Sequence, residues 1–395
     1  MARGGFAQPF ASPKVRCTDR RRTAPCEAVL NYKGKHYRTI WLAEDQASVE
    51  VIDQTRLPFW FETRRLASLN EVADAICTMV VRGAPLIGAT AACGVAIALQ
   101  NKTDDTTLDA SIAILRATRP TAVNLGWALD RMARVLRAVP PERRLATAWR
   151  EAMLICDEDA AACKSIGRKG LKLVDEAARQ NPGRRLNILT HCNAGWLATV
   201  DYGTALAPIY AAHDSGIDVH VWVDETRPRN QGASLTAFEL GAHGVPHTII
   251  ADNAGGHLMQ HGQVDLCIVG ADRISANGDA ANKIGTYLKA LAARDCGVPF
   301  YVAAPLSTID WSIRDGLRDI PIEERSAREV THMTGVNEAG ETTTIQIAAP
   351  GSAAANPAFD VTPARLISAI VTECGIVEAS AAGLKSLRSP ARAAE

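Results

Sequence analysis

Residues 186–195 read Leu-Asn-Ile-Leu-Thr-His-Cys-Asn-Ala-Gly, a short apolar run that ends in a polar turn closed by glycine. Such a run is typical of a buried strand, and the turn is typical of the loop that follows one. Similar runs occur at 219–223, 247–250, 265–269 and 299–303, with helical stretches between most of them. Strands that alternate with helices predict right-handed crossovers, and therefore an α/β fold with a doubly wound parallel sheet.

The chain before this segment has a different pattern. Residues 1–31 are basic and lack the apolar run of a secretory signal, which favours a disordered extension over an organellar transit peptide. A short β segment followed by helix-periodic sequence predicts a small, mainly helical N-terminal domain over 32–180. The break at Gln180-Asn-Pro-Gly183 ends it, the sheet domain is predicted over 181–380, and residues 381–395 form a tail.

Composition excludes several function classes. The chain has 395 residues, of which 47% are hydrophobic and 22% charged, enough for two domains with cores of ordinary size. Its 43 basic and 43 acidic residues balance, so we expect no nucleic-acid or membrane partner. The longest weakly polar stretch, 84–99, is too short to cross a bilayer comfortably. The ten cysteines are scattered without metal-ligand spacing, which predicts reduced thiols and a cytoplasmic location.

Polar, glycine-rich loops follow four of the predicted strands. They occupy residues 190–195, 224–232, 252–256 and 270–283. Turn chemistry alone would explain one or two such loops, but it explains four poorly. Because parallel sheets bind ligands at the carboxyl ends of their strands, we predict that this rim is the active site.

Two residues on this rim are candidates for chemistry. Cys192 alone would more often be a core thiol, but it lies just past a strand, where backbone amides would lower its pKa. Asp272 could cap a turn or pair with Arg273, yet burial would raise its pKa and suit it to act as a general acid. His191 is not expected to pair with Cys192, since successive strand residues point to opposite faces.

The helical domain adds two arginines in apolar surroundings, Arg82 and Arg119. Arginine binds phosphate in bidentate fashion, although either residue could instead lie on the surface beside a helix cap. His257 and His261 have metal-compatible spacing, but no third ligand is evident and a solvated helix face explains them better. No dinucleotide or Walker motif is present, so neither a nucleotide cofactor nor a metal is predicted.

Taken together, these motifs resemble one enzyme family. The segments that carry the resemblance are Arg82–Pro85, Arg119–Asn124, Thr190–Gly195, Asp224–Gly232, Gly270–Ile274, Asn282–Lys283, Ile320–Arg325 and Asn356–Pro363. They closely resemble methylthioribose-1-phosphate isomerases, enzymes of methionine salvage. The wider superfamily includes regulatory subunits of a translation initiation exchange factor and ribose-1,5-bisphosphate isomerases. The resemblance runs from Lys33 to Ser380.

The resemblance implies a cofactor-free aldose–ketose isomerase with a Rossmann-like domain, acting on 5-methylthioribose 1-phosphate as a homodimer. It implies that Asp272 is the proton donor and that Cys192 assists the transition state. The positions that match the family's substrate contacts are Arg82, Gly83, Ala84, Arg119, Gln231, Asn282 and Lys283.

Alternatives remain at this point. Another pentose 1-phosphate, such as ribose 1,5-bisphosphate, would need a second basic cluster, for which Arg227 and Arg229 are candidates. A non-catalytic regulatory subunit is disfavoured because both Cys192 and Asp272 are present, and a dehydrogenase because the glycine fingerprint is missing. Hydrogen could move from C2 to C1 as a proton taken by the Cys192 thiolate or as a migrating hydride.

Overall fold

The computed structural model describes residues 31–119 and 122–388. The predicted extension over 1–31 therefore lies outside the described residues except for Asn31, as do residues 389–395 of the predicted tail. Within the described ranges, no helix combines the length and the apolar character needed to cross a membrane.

The N-terminal part consists of small sheets followed by a helical bundle. Its elements are β1 (Asn31–Tyr32), β2 (Lys35–His36), β3 (Ile40–Leu42), β4 (Val49–Ile52), β5 (Thr63–Leu66), α1 (Leu69–Cys77), α2 (Ala84–Ala98), α3 (Asp105–Thr118), α4 (Val123–Arg137) and α5 (Pro141–Gln180). Helix α2 is buried along almost its whole length, since its alanines and glycines let α1, α3, α4 and α5 approach it closely.

Helix α5 connects the two halves of the molecule. It has 40 residues, which corresponds to a length of about 60 Å. Ala148 and Ile155 belong to the core of the N-terminal part. Ile166 and Val174, about three and five turns further along the helix, belong to the core of the sheet domain. A single rigid element thus contributes to both cores and fixes how the two parts lie against each other.

The second half contains the predicted parallel sheet. Its elements are β6 (Leu186–Thr190), α6 (Ala207–Asp214), β7 (Val219–Asp224), α7 (Ala237–His243), β8 (His247–Ile250), α8 (Ala254–Gln260), β9 (Leu266–Val269), β10 (Arg273–Ser275), β11 (Ala280–Lys283), α9 (Thr286–Asp295), β12 (Phe300–Ala303), β13 (Ile309–Asp310), α10 (Gly316–Asp319), α11 (Arg328–Thr331), β14 (His332–Val336), β15 (Thr342–Gln346), β16 (Phe359–Thr362), β17 (Ala369–Thr372), β18 (Gly375–Val377) and α12 (Ala381–Ser386).

The strand order of this sheet is β18-β17-β12-β9-β6-β7-β8, and every neighbouring pair is parallel except β17 and β18. Numbered along the chain, the parallel strands follow the order 3-2-1-4-5-6 of doubly wound dinucleotide-binding folds. The predicted fold class is confirmed. The chain leaves β6 towards one side of the sheet and β9 towards the other, so a crevice opens between the ends of these two strands.

Several smaller elements were not predicted. A four-stranded sheet of order β13-β10-β11-β16 lies in the region read as loops, and β14 pairs with β15 as an exposed hairpin. Strands of two to four residues are too short to show an alternating pattern. Helix α12 begins at the cap Ser380 and buries Leu384 in the core of the sheet domain, so packed structure continues past residue 380.

Prediction 1 concerns the packing of α5 on α6. A Cβ atom on Gly170 would overlap the ring of Pro208, whereas one on Gly126 of α4 would meet only the end of the Arg116 side chain at 3.4 Å. We expect Gly170→Ala to lower the free energy of unfolding by about 1–3 kcal/mol. Gly126→Ala is the control and should be neutral or stabilise by about 0.5–1 kcal/mol. Urea unfolding checks both, and equal midpoints for the two variants would contradict this account of the packing.

Candidate active site

The candidate residues gather around one cavity at the crevice between β6 and β9. Those that line it are Arg82, Gly83, Ala84, Arg119, Cys192, Gln231, Asp272, Asn282 and Lys283. Cys192 follows β6 and Asp272 follows β9, the two strands that flank the change of direction in the sheet. Every residue predicted for the site from the sequence therefore faces the same space, although the positions are spread over two hundred residues of chain.

Cys192 has an unusual backbone conformation that two threonines hold in place. Its φ angle is 64°, in the left-handed region that few side chains adopt. The Cys192 N–H donates to Thr226 Oγ1 at 2.8 Å, and Thr236 Oγ1 donates to the Cys192 carbonyl oxygen at 2.7 Å. The thiol lies 3.5 Å from Gln231 Oε1, to which it donates. Such strain persists only where neighbours enforce it, so the position of the thiol is tightly determined.

Burial raises the pKa of the Cys192 thiol, and the charges of Arg82 and Lys283 only partly oppose this effect. The sequence led us to expect a pKa lowered by backbone amides. The Asn193 N–H does act in that direction, but the loss of solvent outweighs it. An ordinary thiol is already protonated at neutral pH. Cys192 is therefore a neutral thiol in the free protein.

Asp272 is accessible from the cavity but otherwise enclosed by protein. Burial raises the pKa of its carboxyl group, while the cationic side chains of Lys283, Arg119 and Arg82 pull it down. No side chain within 31–119 or 122–388 donates a hydrogen bond to this carboxyl group. The direction of the shift is the one predicted from the sequence, and it favours a carboxylic acid that can give up a proton.

The start of α2 and Arg119 line the same cavity. Gly83 is the N-cap of α2 with a φ of 92° and no side-chain cap, so the N–H groups of Ala84 and Leu86 have no capping side chain, and Pro85 between them has no N–H. A Cβ atom on Gly83 would collide with the backbone of Ala198, so only glycine allows α2 to come this close to the β6 loop. Arg119 pairs with Glu323 at 3.0 Å, yet its buried Nε has no hydrogen-bond partner among residues 31–119 and 122–388.

Strand β11 supplies two more polar side chains. Lys283 lies over the ring of Phe359, with 4.6 Å between Nζ and the ring centroid, and burial lowers the pKa of its ammonium group. It forms no ion pair with a carboxylate in the part of the chain that the structure describes. Asn282 Nδ2 donates to Thr286 Oγ1 at 3.1 Å, and its side-chain oxygen accepts no hydrogen bond from the described residues. The cavity thus has a surplus of positive charge.

The residues that hold the cavity side chains in place were not predicted from the sequence. Arg82 donates to both the side-chain and the main-chain oxygen of Asn193, the latter at 2.7 Å. Asn193 in turn contacts Glu239, a fully buried carboxylate on α7. Asn193 and Thr226 stand inside motifs that the sequence analysis quoted, but nothing there assigned them a role. For Glu239, the available signal was a single acid within the apolar run 235–240.

A second polar cluster lies behind the cavity. His191 Nδ1 is 2.8 Å from Asp224 Oδ2, and its Nε2 is 2.9 Å from the Ile284 carbonyl oxygen, so His191 faces away from Cys192 as expected. Potential ligand atoms of His191, Asp224 and Asp252 lie within 4.8 Å of one another. Lys289 Nζ, however, lies 3.2 Å from Asp224 Oδ2 and donates to the main-chain oxygen of Asp252. The ammonium group thus supplies the positive charge that a metal would bring.

A larger cavity of about 670 Å³ adjoins the first and shares Met79, Arg82 and Gln231 with it. Its apolar lining includes Leu57, Phe59, Trp60 and Leu235.

His257 and His261, the pair with metal-compatible spacing, lie elsewhere, at the end of α8 and directly after it. Both rings are exposed, and their centroids are 4.1 Å apart.

Comparison with known proteins places this geometry in a family. Residues 80–379 match the model of a protein family described as "Initiation factor 2 subunit family". A methylthioribose-1-phosphate isomerase of Methylorubrum extorquens is 63% identical over 91% of this chain and 98% of its own length. The corresponding protein of Rhodospirillum centenum is 60% identical over 91% of this chain and 96% of its own.

Solved structures give the same grouping. The 5-methylthioribose 1-phosphate isomerase of Pyrococcus horikoshii superposes with a TM-score of 0.77 at 41% identity, covering 93% of this chain and 98% of that one. The A. fulgidus translation initiation factor eIF-2B subunit delta has a TM-score of 0.70 at 37% identity, covering 87% and 96%.

Prediction 2 concerns the cluster behind the cavity. Lys289→Met would leave the buried carboxylate of Asp224 without its ammonium partner, and we expect the free energy of unfolding to fall by about 3–5 kcal/mol. Lys172→Met, on the exposed face of α5, is the control; we expect a change within about 0.5 kcal/mol. Urea unfolding measures both. Equal stability of the two variants would mean that Lys289 does not neutralise the cluster.

Proposed function

The chain belongs to the methylthioribose-1-phosphate isomerases of the initiation factor 2 subunit family, and from this premise we propose that it converts 5-methylthioribose 1-phosphate into 5-methylthioribulose 1-phosphate in methionine salvage. One observation carries the proposal. Cys192 and Asp272 end adjacent strands of the sheet and face one cavity, which also contains the cationic side chains of Arg82, Arg119 and Lys283.

The phosphate group would bind at the cationic side of the cavity. The N–H groups of Ala84 and Leu86 and the Arg119 Nε offer hydrogen-bond donors. In the described residues, the Nε has no hydrogen-bond partner and the Lys283 charge has no ion-pair partner. Arginine and helix N-termini both favour phosphate oxygens. Gly83 and Ala84 would bring the backbone close to the anion, and Gln231 and Asn282, which line the same cavity, would contact the sugar hydroxyls.

Ring opening would use Asp272. A sugar whose anomeric oxygen carries phosphate cannot open by itself to a free aldehyde, so the ring oxygen O4 must be protonated as the C1–O4 bond breaks. The raised pKa of Asp272 favours the protonated carboxyl group that this step requires. The product of ring opening is an oxocarbenium ion at C1, stabilised by the oxygen that bears the phosphate.

The ketose then forms when hydrogen moves from C2 to C1. We infer that it moves as a hydride, because Cys192 is a neutral thiol in the free protein and lacks the electron pair of a thiolate base. As the hydride leaves C2, the O2 hydroxyl loses its proton and becomes the C2 carbonyl oxygen. That proton returns to the Asp272 carboxylate, so the acid is regenerated and no external reductant or oxidant is needed. The polarisable sulfur of Cys192 would lie beside the cation.

The neighbouring cavity supports an apolar group on C5. Leu57, Phe59 and Trp60 form an apolar part of its lining, and charged side chains such as Arg56 and Arg328 line the rest. Arg229 is paired with Glu329 at 3.1 Å, and the Arg227 guanidinium is bound by two main-chain oxygens, so the basic residues considered for a second phosphate are already engaged. This arrangement favours a methylthio substituent over ribose 1,5-bisphosphate.

We further propose a cytoplasmic homodimer. The cysteines at 77, 93, 156, 163, 192, 267, 296 and 374, which are those within the described ranges, are free thiols. Free thiols fit a reducing compartment.

Prediction 3 tests the two reacting residues. With 5-methylthioribose 1-phosphate as substrate, we expect Cys192→Ala and Asp272→Asn each to lower kcat by about 10²–10⁴-fold, the range for loss of a positioned catalytic group. Cys296→Ala and Asp265→Asn make the same chemical changes away from the cavity and should retain activity. Ketose formation is the measurement. A loss of only a few-fold would remove that residue from the chemistry.

Prediction 4 tests how hydrogen moves. Substrate deuterated at C2 and turned over in ordinary water should give ketose that keeps its deuterium at C1, because a migrating hydride does not exchange with solvent. Proton NMR and mass spectrometry of the product measure the deuterium content. Incorporation of solvent hydrogen at C1 would instead establish a proton transfer through an exchangeable base.

Prediction 5 concerns metals and cofactors, neither of which we propose for this reaction. A divalent cation beside Asp272 would hold its carboxylate ionised and so abolish the proton needed for ring opening. Activity should therefore persist after EDTA treatment and dialysis, without added nicotinamide. Loss of activity on chelation, with recovery on adding Mg²⁺ or Mn²⁺, would make the carboxylates of the strand-end loops metal ligands.

A further inference from the structure

Glu239 on α7 is a buried carboxylate that the proposed chemistry does not use. It is fully buried and accepts four hydrogen bonds. Oε1 accepts from Asn193 Nδ2 at 2.6 Å and Leu197 N at 3.2 Å, and Oε2 accepts from Trp196 N at 2.6 Å and Tyr210 Oη at 2.9 Å. Three of these donors are N–H groups that cannot accept, and they occupy both oxygens. These hydrogen bonds favour the ionised carboxylate and oppose the burial that raises the pKa of Glu239.

The bond to Asn193 connects Glu239 to the cavity. The Asn193 amide nitrogen also donates to Thr236 Oγ1 at 3.1 Å, so both of its N–H groups are engaged on the side away from the cavity. The amide oxygen therefore faces Arg82 and accepts from its guanidinium group, as does the Asn193 main-chain oxygen. Arg82 is buried and forms no ion pair with a carboxylate in the described parts of the chain. Glu239 instead supplies the balancing negative charge, through the Asn193 amide that bridges the two side chains.

The local backbone is shaped around this carboxylate. A Cβ atom on Gly195 would overlap Glu239 Oε2, so the glycine of the β6 loop allows Glu239 to reach the N–H groups that follow it. The same loop carries Cys192 at its start. Glu239 thus holds the loop from residue 193 to residue 197 in place, and it also sets the orientation of the Asn193 amide.

We propose that Glu239 is a positioning residue for the isomerase reaction: through Asn193 it holds the Arg82 guanidinium against the bound phosphate and beside Cys192. This inference rests on the proposed function for its substrate but not for its geometry. A merely structural carboxylate would stabilise the packing of α7 on the β6 loop without any specific coupling to Arg82.

Steady-state kinetics of Glu239→Gln separates the two roles. The variant loses the charge and turns an amide donor towards groups that can only donate. We expect kcat/KM for 5-methylthioribose 1-phosphate to fall about 10–100-fold. Most of the fall should appear in KM, because the phosphate keeps its charge and its bonds through the reaction, so contacts to it are about equally strong in the ground and transition states. Glu151→Gln makes the same change at a buried acid of the helical domain, where Glu151 pairs with Arg131, and should leave kcat/KM unchanged.

A double-mutant cycle with Arg82→Ala tests the coupling. If Glu239 acts through Arg82, adding Glu239→Gln to Arg82→Ala should lower kcat/KM by less than about 2-fold, since the residue it positions is already gone. Full multiplication of the two single effects would overturn the proposal, as would an unchanged KM in Glu239→Gln alone.

Alkylation of Cys192 by iodoacetamide, followed by peptide mass spectrometry, gives a readout without substrate. The Arg82 charge favours the Cys192 thiolate, so releasing Arg82 should move the pH midpoint of alkylation upward. A downward shift would mean that Glu239 acts only as a negative charge and would overturn the proposal.

If Glu239→Gln does not fold, Tyr210→Phe is the second variant. It removes one of the hydrogen-bond donors to Glu239 and should give a smaller upward shift. Wild-type protein that makes no ketose would refute the substrate assignment, while the alkylation shift would still test Glu239.

Discussion

Exclusion of water from the crevice between β6 and β9 is the constraint on which the site depends. Burial raises the pKa of Asp272 and Cys192 and lowers that of Arg82 and Lys283, so each group is driven towards its neutral form. The same loss of solvent favours the binding of an anion beside the cations and favours the protonated form of Asp272. A sugar phosphate suits both groups, because its phosphate supplies the negative charge and its ring oxygen accepts the proton.

The two-part architecture creates this enclosure. In an open doubly wound sheet the strand ends face solvent. Here α2 covers them, and Gly83 permits contact between its first turn and the backbone of Ala198 in the β6 loop. Helix α5 passes through both cores and keeps the helical part in register with the sheet. The residues of the cavity therefore come from both parts, and neither part alone would exclude water from Asp272.

Much of the fold and of the candidate site is readable in the sequence, and the remainder has a physical reason for being hidden. The strands of the parallel sheet are buried on both faces and appear as apolar runs, and the loops after β6 and β9 carry the polar residues that mark their ends. The sheet β13-β10-β11-β16 has strands too short for a pattern. Glu239 and Thr236 were missed because their role depends on contacts across the sheet domain. The pKa of the Cys192 thiol is raised and not lowered as predicted, because desolvation of the thiol exceeds the effect of one backbone amide.

The protonation state of Asp272 is the claim that supports the rest of the account. Carbon-13 NMR of the protein labelled at its aspartate carboxyl carbons, with the Asp272 signal assigned by its loss in Asp272→Asn, follows that state directly as the pH is varied. The account predicts a midpoint clearly above the ordinary aspartate value of about 3.9, because burial outweighs the charges of Lys283, Arg119 and Arg82. A midpoint at or below that value would show that the cations dominate, and Asp272 would then be a carboxylate with no proton to give.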